Sequence, residues 1–327
     1  MADGSESCSE DMSRETQDRP GPGCYAGAVD QLQRAIKTDF SLRVIAAVTT
    51  GLVAEASARH GLRGVEVVAL GRALTAGCLL TTLTKHGSER LRVEVRSSGP
   101  LRGLLVDARG DGSVRGCLQR HLGSEEHATL STGVGRLVVA RALGSHGTVI
   151  ITRDVGLEQR YQGSVEIVSG EVDHDIEHYL NTSEQLPSVL ACEVVLDHHG
   201  NVARAAGLLC QTFPGGDTEE LDALRTTLAA GHLADLLRQD RSCAEIIGFA
   251  LGGEAFDDMG SSPLQFRCNC GPDRARSVIS TLGAEDIEAL AGEQQATEVR
   301  CEYCGLVYTL SAGELRVLAA DIRRERS

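Results

Sequence analysis

An α+β core domain, a helical linker and a small C-terminal domain are the fold class that the sequence predicts, on three observations. Hydrophobic spacing switches from a helical period to strict alternation near residue 90, and several short apolar runs follow. Pro214-Gly215-Gly216 then opens a helical stretch rich in glycine. Four cysteines in two close pairs occupy the segment after Leu264. A chain of 327 residues is long enough for two domains, or one large domain with an appendage.

Residues 1–29 are acidic and rich in Ser, Pro and Gly, and lack the basic start and apolar stretch of a secretory signal. A disordered N-terminal tail is expected there. The core is expected over 30–214. From Asp30 to about His86 the pattern reads as helical, with Val67, Val68, Leu70, Leu74 and Leu79 sharing a broad apolar face. Small residues among them allow close packing, and Cys78 reads as a small buried apolar side chain. Leu91, Val93 and Val95 alternate with Arg92, Glu94 and Arg96, which predicts a half-buried strand. Leu104–Val106, Leu137–Val139, Val149–Ile151 and Val194–Leu196 read as further strands, and Val172–Leu180 as a helix between them. Helices followed by many strands suggest α+β.

The linker is expected over 215–263. Asp217 or Thr218 can cap a helix whose apolar face includes Leu221, Leu224, Leu228 and Leu236. Gly231 falls inside that helix and weakens it by roughly 1 kcal/mol against Ala. Ala244–Leu251, with Ile246, Ile247 and Phe249, forms a second short helix before Gly252-Gly253 and Gly260. This stretch is apolar on one side and poorly secured, so it must lie on another domain to be stable. In the last domain, over 264–327, Pro272 suits the first turn of a helix running towards Leu282. Ser311 and Glu314 have capping-box spacing for a final helix through Ile322.

A net charge of −14 argues against a nucleic-acid backbone as partner. Nearly every cation is Arg, with Lys37 and Lys85 the exceptions, and neither lysine stands in a Walker A loop, which disfavours ATP. Gly133-Val134-Gly135 reads as a hairpin, and His198-His199-Gly200-Asn201 as a turn. No run of about 18 apolar residues predicts a membrane span. With no export signal, a cytoplasmic, reducing setting is expected.

Eleven cysteines is an odd number, and Cys8, Cys24, Cys78, Cys117, Cys192, Cys210 and Cys243 have no ligand spacing. Cys268-Asn269-Cys270 and Cys301-Glu302-Tyr303-Cys304-Gly305 do. Two close thiolate pairs are what one tetrahedral zinc ion per chain needs, so the last segment reads as a zinc-binding domain resembling a zinc knuckle. Gly305 can take positive φ and turn backbone amides towards the sulfurs. Arg267, Arg274, Arg276 and Arg300 are near enough in sequence to offset the site's negative charge. A domain this small is marginal without a metal or a disulfide. Spacing leaves two roles open: a permanent architectural site, or a thiolate centre that oxidants attack and that then loses its metal.

Other chemistries have weaker support. His174-Asp175-Ile176-Glu177-His178 fits the H-x-x-E-H pattern of a metalloprotease, but an exposed face on an acidic helix with Glu171 and Asp173 explains it as well, and no third ligand is identifiable. A zinc-ribbon nucleic-acid binder lacks its basic stripe. A thiol oxidoreductase uses C-x-x-C at a helix N-terminus, in a thioredoxin-like unit.

The two cysteine pairs, with Phe266-Arg267-Cys268, Arg160-Tyr161-Gln162-Gly163 and Ser183-Glu184-Gln185-Leu186-Pro187, resemble the segments that mark the redox-regulated heat-shock chaperones, the heat shock protein thirty-three family. The resemblance runs from about Asp30 to Leu318; the N-terminal tail departs from it. It implies an ATP-independent holdase of the cytosol, not an enzyme, inactive while reduced and zinc-bound. Oxidation would join Cys268 with Cys270 and Cys301 with Cys304, with loss of zinc and unfolding of the zinc domain and linker. Apolar surface would then meet unfolding client proteins, and active molecules would pair as homodimers through the first domain. No nucleic-acid or membrane partner is expected from charge and hydropathy, and neither sequence nor resemblance assigns a function to the tail with Cys8 and Cys24.

Overall fold

The computed structural model describes residues 29–83, 88–131, 137–156, 160–213, 216 and 218–325. The expected tail, the Gly133–Gly135 hairpin, Lys85 and most of the Pro214–Asp217 break lie outside these.

Two strands come first, β1 (Gln31–Lys37) and β2 (Leu42–Val48), followed by helices α1 (Thr50–His60) and α2 (Val65–Leu80). A meander follows, of β3 (Arg90–Ser97), β4 (Gly103–Arg109) and β5 (Ser113–Leu118). Short helices α3 (Ser124–Ser131) and α4 (Leu137–Leu143) precede β6 (Gly147–Asp154) and β7 (Tyr161–Glu166). Then come α5 (Val172–Thr182), β8 (Ser188–Leu196) and β9 (Val202–Thr212). Helices α6 (Glu219–Ala229), α7 (His232–Arg238) and α8 (Cys243–Ala250) lead into β10 (Phe256–Pro263) and β11 (Gln265–Phe266). The last part holds α9 (Pro272–Ile279), α10 (Ala284–Glu293), the β12 (Ala296–Arg300)–β13 (Val307–Ser311) hairpin and α11 (Ala312–Glu325). The α+β class of the sequence reading holds.

The strands form a five-stranded sheet in the order β10-β1-β2-β9-β8 and a six-stranded sheet in the order β11-β5-β4-β3-β6-β7. Helix α2 lies between them, with every residue buried except Val68. Its small residues set that distance. A Cβ on Gly71 would come within 2.8 Å of Val194 in the first sheet, and one on Gly77 within 2.7 Å of Val106 in the second. The segment Val65–Leu83 is long and apolar enough to cross a membrane, but here it is the buried core helix.

Four expectations need correction. Residues 31–48 are strands, not helix. β2 is buried on both faces, with Ile45 and Ala47 towards α2 and Val44, Ala46 and Val48 towards the linker. A strand covered on both sides reads as a continuous apolar run without a period. Leu137–Val139 opens α4 instead of a strand; the buried Val139, Ala142 and Leu143 have helical spacing, which three residues cannot display. Gly231 does not sit inside a helix but separates α6 from α7 at φ 92°. Residues 256–263 are β10, antiparallel to β1, rather than helical linker. Their sequence is polar and mostly exposed, so the strand exists because the β1 edge offers it a ladder.

Strand β11 pairs in parallel with β5, and Leu264 and Phe266 are buried in the main core. The expected boundary at 264 therefore falls within a stretch that both sheets hold. The signature segments meet on the six-stranded sheet. Gly163 packs under Tyr179, whose hydroxyl donates to Glu184 at 2.5 Å, and Arg153 donates to the same carboxylate at 2.6 Å.

Candidate metal centre

The two cysteine pairs arrive from different directions. Cys268 and Cys270 follow β11, so the pairing of Phe266 with Val114 of β5 fixes where they stand. Cys301 and Cys304 lie in the loop joining β12 to β13. That loop is closed by Cys301 N–H donating to the Leu306 carbonyl and Gly305 N–H to the Cys301 carbonyl, both at 2.8 Å. Gly305 has φ 71°, and a Cβ there would sit 2.6 Å from the Arg59 carbonyl of α1. Glycine is thus required twice over, by its dihedral and by the approach of the loop to the core.

All four Sγ atoms lie within 4.8 Å of one another, the one such group of possible ligands among the described residues. Cys268 Sγ is 3.7 Å from Cys301 Sγ, and Cys270 Sγ 3.3 Å from Cys304 Sγ. A tetrahedral ion with metal–sulfur bonds of about 2.3 Å separates its sulfurs by about 3.8 Å. Spacing and donor chemistry both fit such an ion. The electrostatics agree. Cys268 is drawn down to about 4, first by the hydrogen bond with the Cys304 thiol and then by Arg115 and Cys270, against the cost of burial. The same contact raises Cys304, and burial together with the Cys268 charge raises Cys301. For all four sulfurs to be anionic at once, a cation must stand among them. Elsewhere burial pushes Cys117 and Cys210 up to about 12 and Cys243 to about 11, so these thiols stay protonated at neutral pH.

Among the described residues, the arginine seen to hydrogen-bond the cluster is distant from it in sequence. Arg115 of β5 donates to Cys268 Sγ at 3.4 Å and to Asp107 at 2.9 Å, with its guanidinium 4.0 Å from the centre of the Tyr303 ring. Arg276 instead pairs with Asp273 and Glu314. Tyr303 is held at three points: by the Arg115 stack, by Arg92 donating to its hydroxyl at 3.1 Å, and by His60 Nε2 3.0 Å from its carbonyl. Tyr308 of β13 donates to Cys270 Sγ at 3.0 Å. Two of the chain's five tyrosines thus serve this loop, a signal visible in the sequence; Arg115, Arg92 and His60 had none.

The H-x-x-E-H segment forms no cluster of metal-ligating atoms among the described residues. His174 is exposed, whereas Glu177 is buried and accepts from Leu190 N–H and Arg225, both at 2.8 Å. The expected exposed acidic face is also wrong: Asp173, Asp175 and Glu177 are all buried. Asp175 accepts from the amides of Val168, Ser169 and Gly170, which explains how the carboxylates are tolerated there.

A family model described as Hsp33 protein matches residues 30–311. A 33 kDa chaperonin of Synechocystis is 37% identical over 302 residues, covering 91% of this chain and 98% of the relative. One of Desulforamulus reducens is 35% identical, covering 90% and 99%. The crystal structure of the 33 kDa chaperonin, a heat shock protein 33 homolog, from Thermotoga maritima superposes with a TM-score of 0.79 at 25% identity, covering 90% of this chain and 99% of that one. Sequence, fold and the four-cysteine cluster agree, and the chain belongs to the Hsp33 family.

Proposed function

We propose that this protein is an ATP-independent chaperone, a holdase for unfolding client proteins, whose activity is switched by oxidation of Cys268, Cys270, Cys301 and Cys304. The observation that carries this reading is the cover on the five-stranded sheet. Leu221, Leu224, Leu228, Leu233, Leu237, Ile246, Ile247 and Leu251 of the linker pack on a face made by Leu42, Val44, Ala46, Val48, Val189, Ala191, Ala206 and Leu208. The chain that carries this cover runs through β10 and β11 straight into Cys268. A change at the cysteines is thereby tied mechanically to the cover.

In the reduced form the four thiolates would hold one zinc ion, which supplies the positive charge that lets them coexist and the folding free energy of a small domain. Arg115 and Tyr308 orient Cys268 and Cys270 by hydrogen bonds to their sulfurs. Oxidation by peroxide joins Cys268 to Cys270 and Cys301 to Cys304. In each pair two thiolates give up two electrons to one peroxide, the S–S bond forms as the O–O bond breaks, and the two oxygens take up two protons from solvent and leave as two waters. Disulfide sulfurs no longer act as anionic ligands. The Cys301–Cys304 loop then loses the geometry that seats Tyr303 under Arg115, and the Cys268–Cys270 segment after β11 loses its tie to that loop. The linker peels away and bares the apolar face to clients. The oxidised form works as a homodimer, in the cytoplasm, where thiols rest reduced.

The test is aggregation of a thermally unfolding client, followed by light scattering, with the protein reduced or treated with peroxide. Only the treated form is expected to suppress it, with metal released to a chromophoric chelator. Equal activity of the reduced form contradicts the switch; inactivity of both contradicts the chaperone.

A further inference from the structure

We propose that Lys37 is a second fastening for the linker, a positioning residue that clamps both ends of the linker helices to the core independently of the cysteines. The inference rests on the reading of the linker as the cover of the client face. Lys37 ends β1, and its side chain is only 5% exposed. Its ammonium lies 2.9 Å from Glu220 in the first turn of α6, 3.2 Å from Glu254 between α8 and β10, and 3.3 Å from Asp39 after β1. One cation therefore joins the start of the linker, its end and the core at a single point.

The position is chemically selective. The chain has 32 basic residues and all are arginine except Lys37 and Lys85. An ammonium directs three donors to three separate carboxylates, whereas a planar guanidinium fork suits one or two. Three carboxylates around one ammonium leave an excess of negative charge, so without Lys37 the groups Glu220, Glu254 and Asp39 repel one another. Glu220 and Glu254 are 49% and 63% exposed, so both can swing into water once released, and the linker ends go with them.

The clamp is also remote from the thiols. In the β1–β10 ladder Lys37 faces Phe256, while Gln31 faces Pro263, next to β11 and Cys268. Strand β10 is thus held at one end by Lys37 and at the other by the segment leading to the cysteines, about 25 Å apart for a strand of this length. Opening the thiol centre frees one end of this strand, and opening the clamp frees the other with the metal ligands untouched.

The experiment uses full-length reduced, zinc-loaded protein as wild type, Lys37→Met, and Glu220→Gln with Glu254→Gln. Zinc and free thiols per chain, protease cleavage within 219–263, and suppression of client aggregation are measured together. Both variants are expected to keep wild-type zinc and thiols. Their linkers should be cut about tenfold faster. They should also show, while reduced, part of the activity that wild type gains only with peroxide. Wild-type protease resistance and no reduced-state activity in the variants would overturn the clamp. If oxidised wild type itself fails to suppress aggregation, the functional reading is what fails, and the cleavage rates alone decide the clamp. Should Lys37→Met not fold, the double Gln variant, altering two half-exposed side chains, carries the same test.

Discussion

Helix α2 and helices α6–α8 cover opposite faces of the same five-stranded sheet, and they do so on different terms. Helix α2 is buried on all sides except at Val68, because the six-stranded sheet closes over its far face. The linker helices bury one stripe each: Leu221, Leu224 and Leu228 in α6, Leu233 and Leu237 in α7, and Cys243, Ile246 and Ile247 in α8. Their other sides face water. Removing α2 would dismantle two sheets, whereas removing the linker takes off one layer and leaves the sheet's hydrogen bonds largely in place. A sheet with one permanent and one detachable cover can expose apolar surface without unfolding. Under the proposed function the linker helices are the detachable layer, and their opening is expected at the low end of local stability.

Substitutions on the two covers should separate them. Leu74→Ala, in the fully buried face of α2, is expected to cost about 2–5 kcal/mol of global stability. Urea unfolding followed by circular dichroism would register this as a lower midpoint, and the reduced protein should remain inactive. Leu224→Ala, in α6, removes a similar side chain from the outer cover. It should lower linker protection by about 2–4 kcal/mol in hydrogen exchange while core amides stay unchanged. If core protection falls equally, the linker is part of the core's cooperative unit and the contrast collapses.

The coupling between cover and thiols is sharpened by Arg115→Met, which removes the hydrogen bond to Cys268 and the stack on Tyr303. Loss of a partner of this kind costs about 10–100-fold in metal affinity, readable by competition with a chelator. The smallest effect belongs to Ser311→Ala. Ser311 and Glu314 form a complete capping box at α11, with Ser311 N–H donating to Glu314 at 2.8 Å. Its loss is expected to cost about 1 kcal/mol in the C-terminal unit only, seen as a lower melting temperature of that unit's amides.

What was legible in the sequence follows how local each signal is. The cysteine pairs, Pro272 at the start of α9 and the Ser311–Glu314 box all lie within a few residues, and the structure gathers the four sulfurs, starts α9 at Pro272 and closes the box. The β3 strand was legible because one face meets water, so alternation survives. β2 was misread because both covers bury it, which erases the period. β10 was missed because its residues carry no strand preference, and its ladder partner lies more than 200 positions earlier. Arg115 is separated from Cys268 by 153 positions, so the charge that answers the thiolate could be found only from the fold.

Hydrogen exchange on the full chain, reduced and then peroxide-treated, tests the central claim most directly. Oxidation is predicted to strip protection from α6–α8, β10 and the cysteine loops while α2, β2, β8 and β9 keep theirs, in step with the gain in aggregation suppression. An oxidised, active protein whose linker remains protected would contradict it.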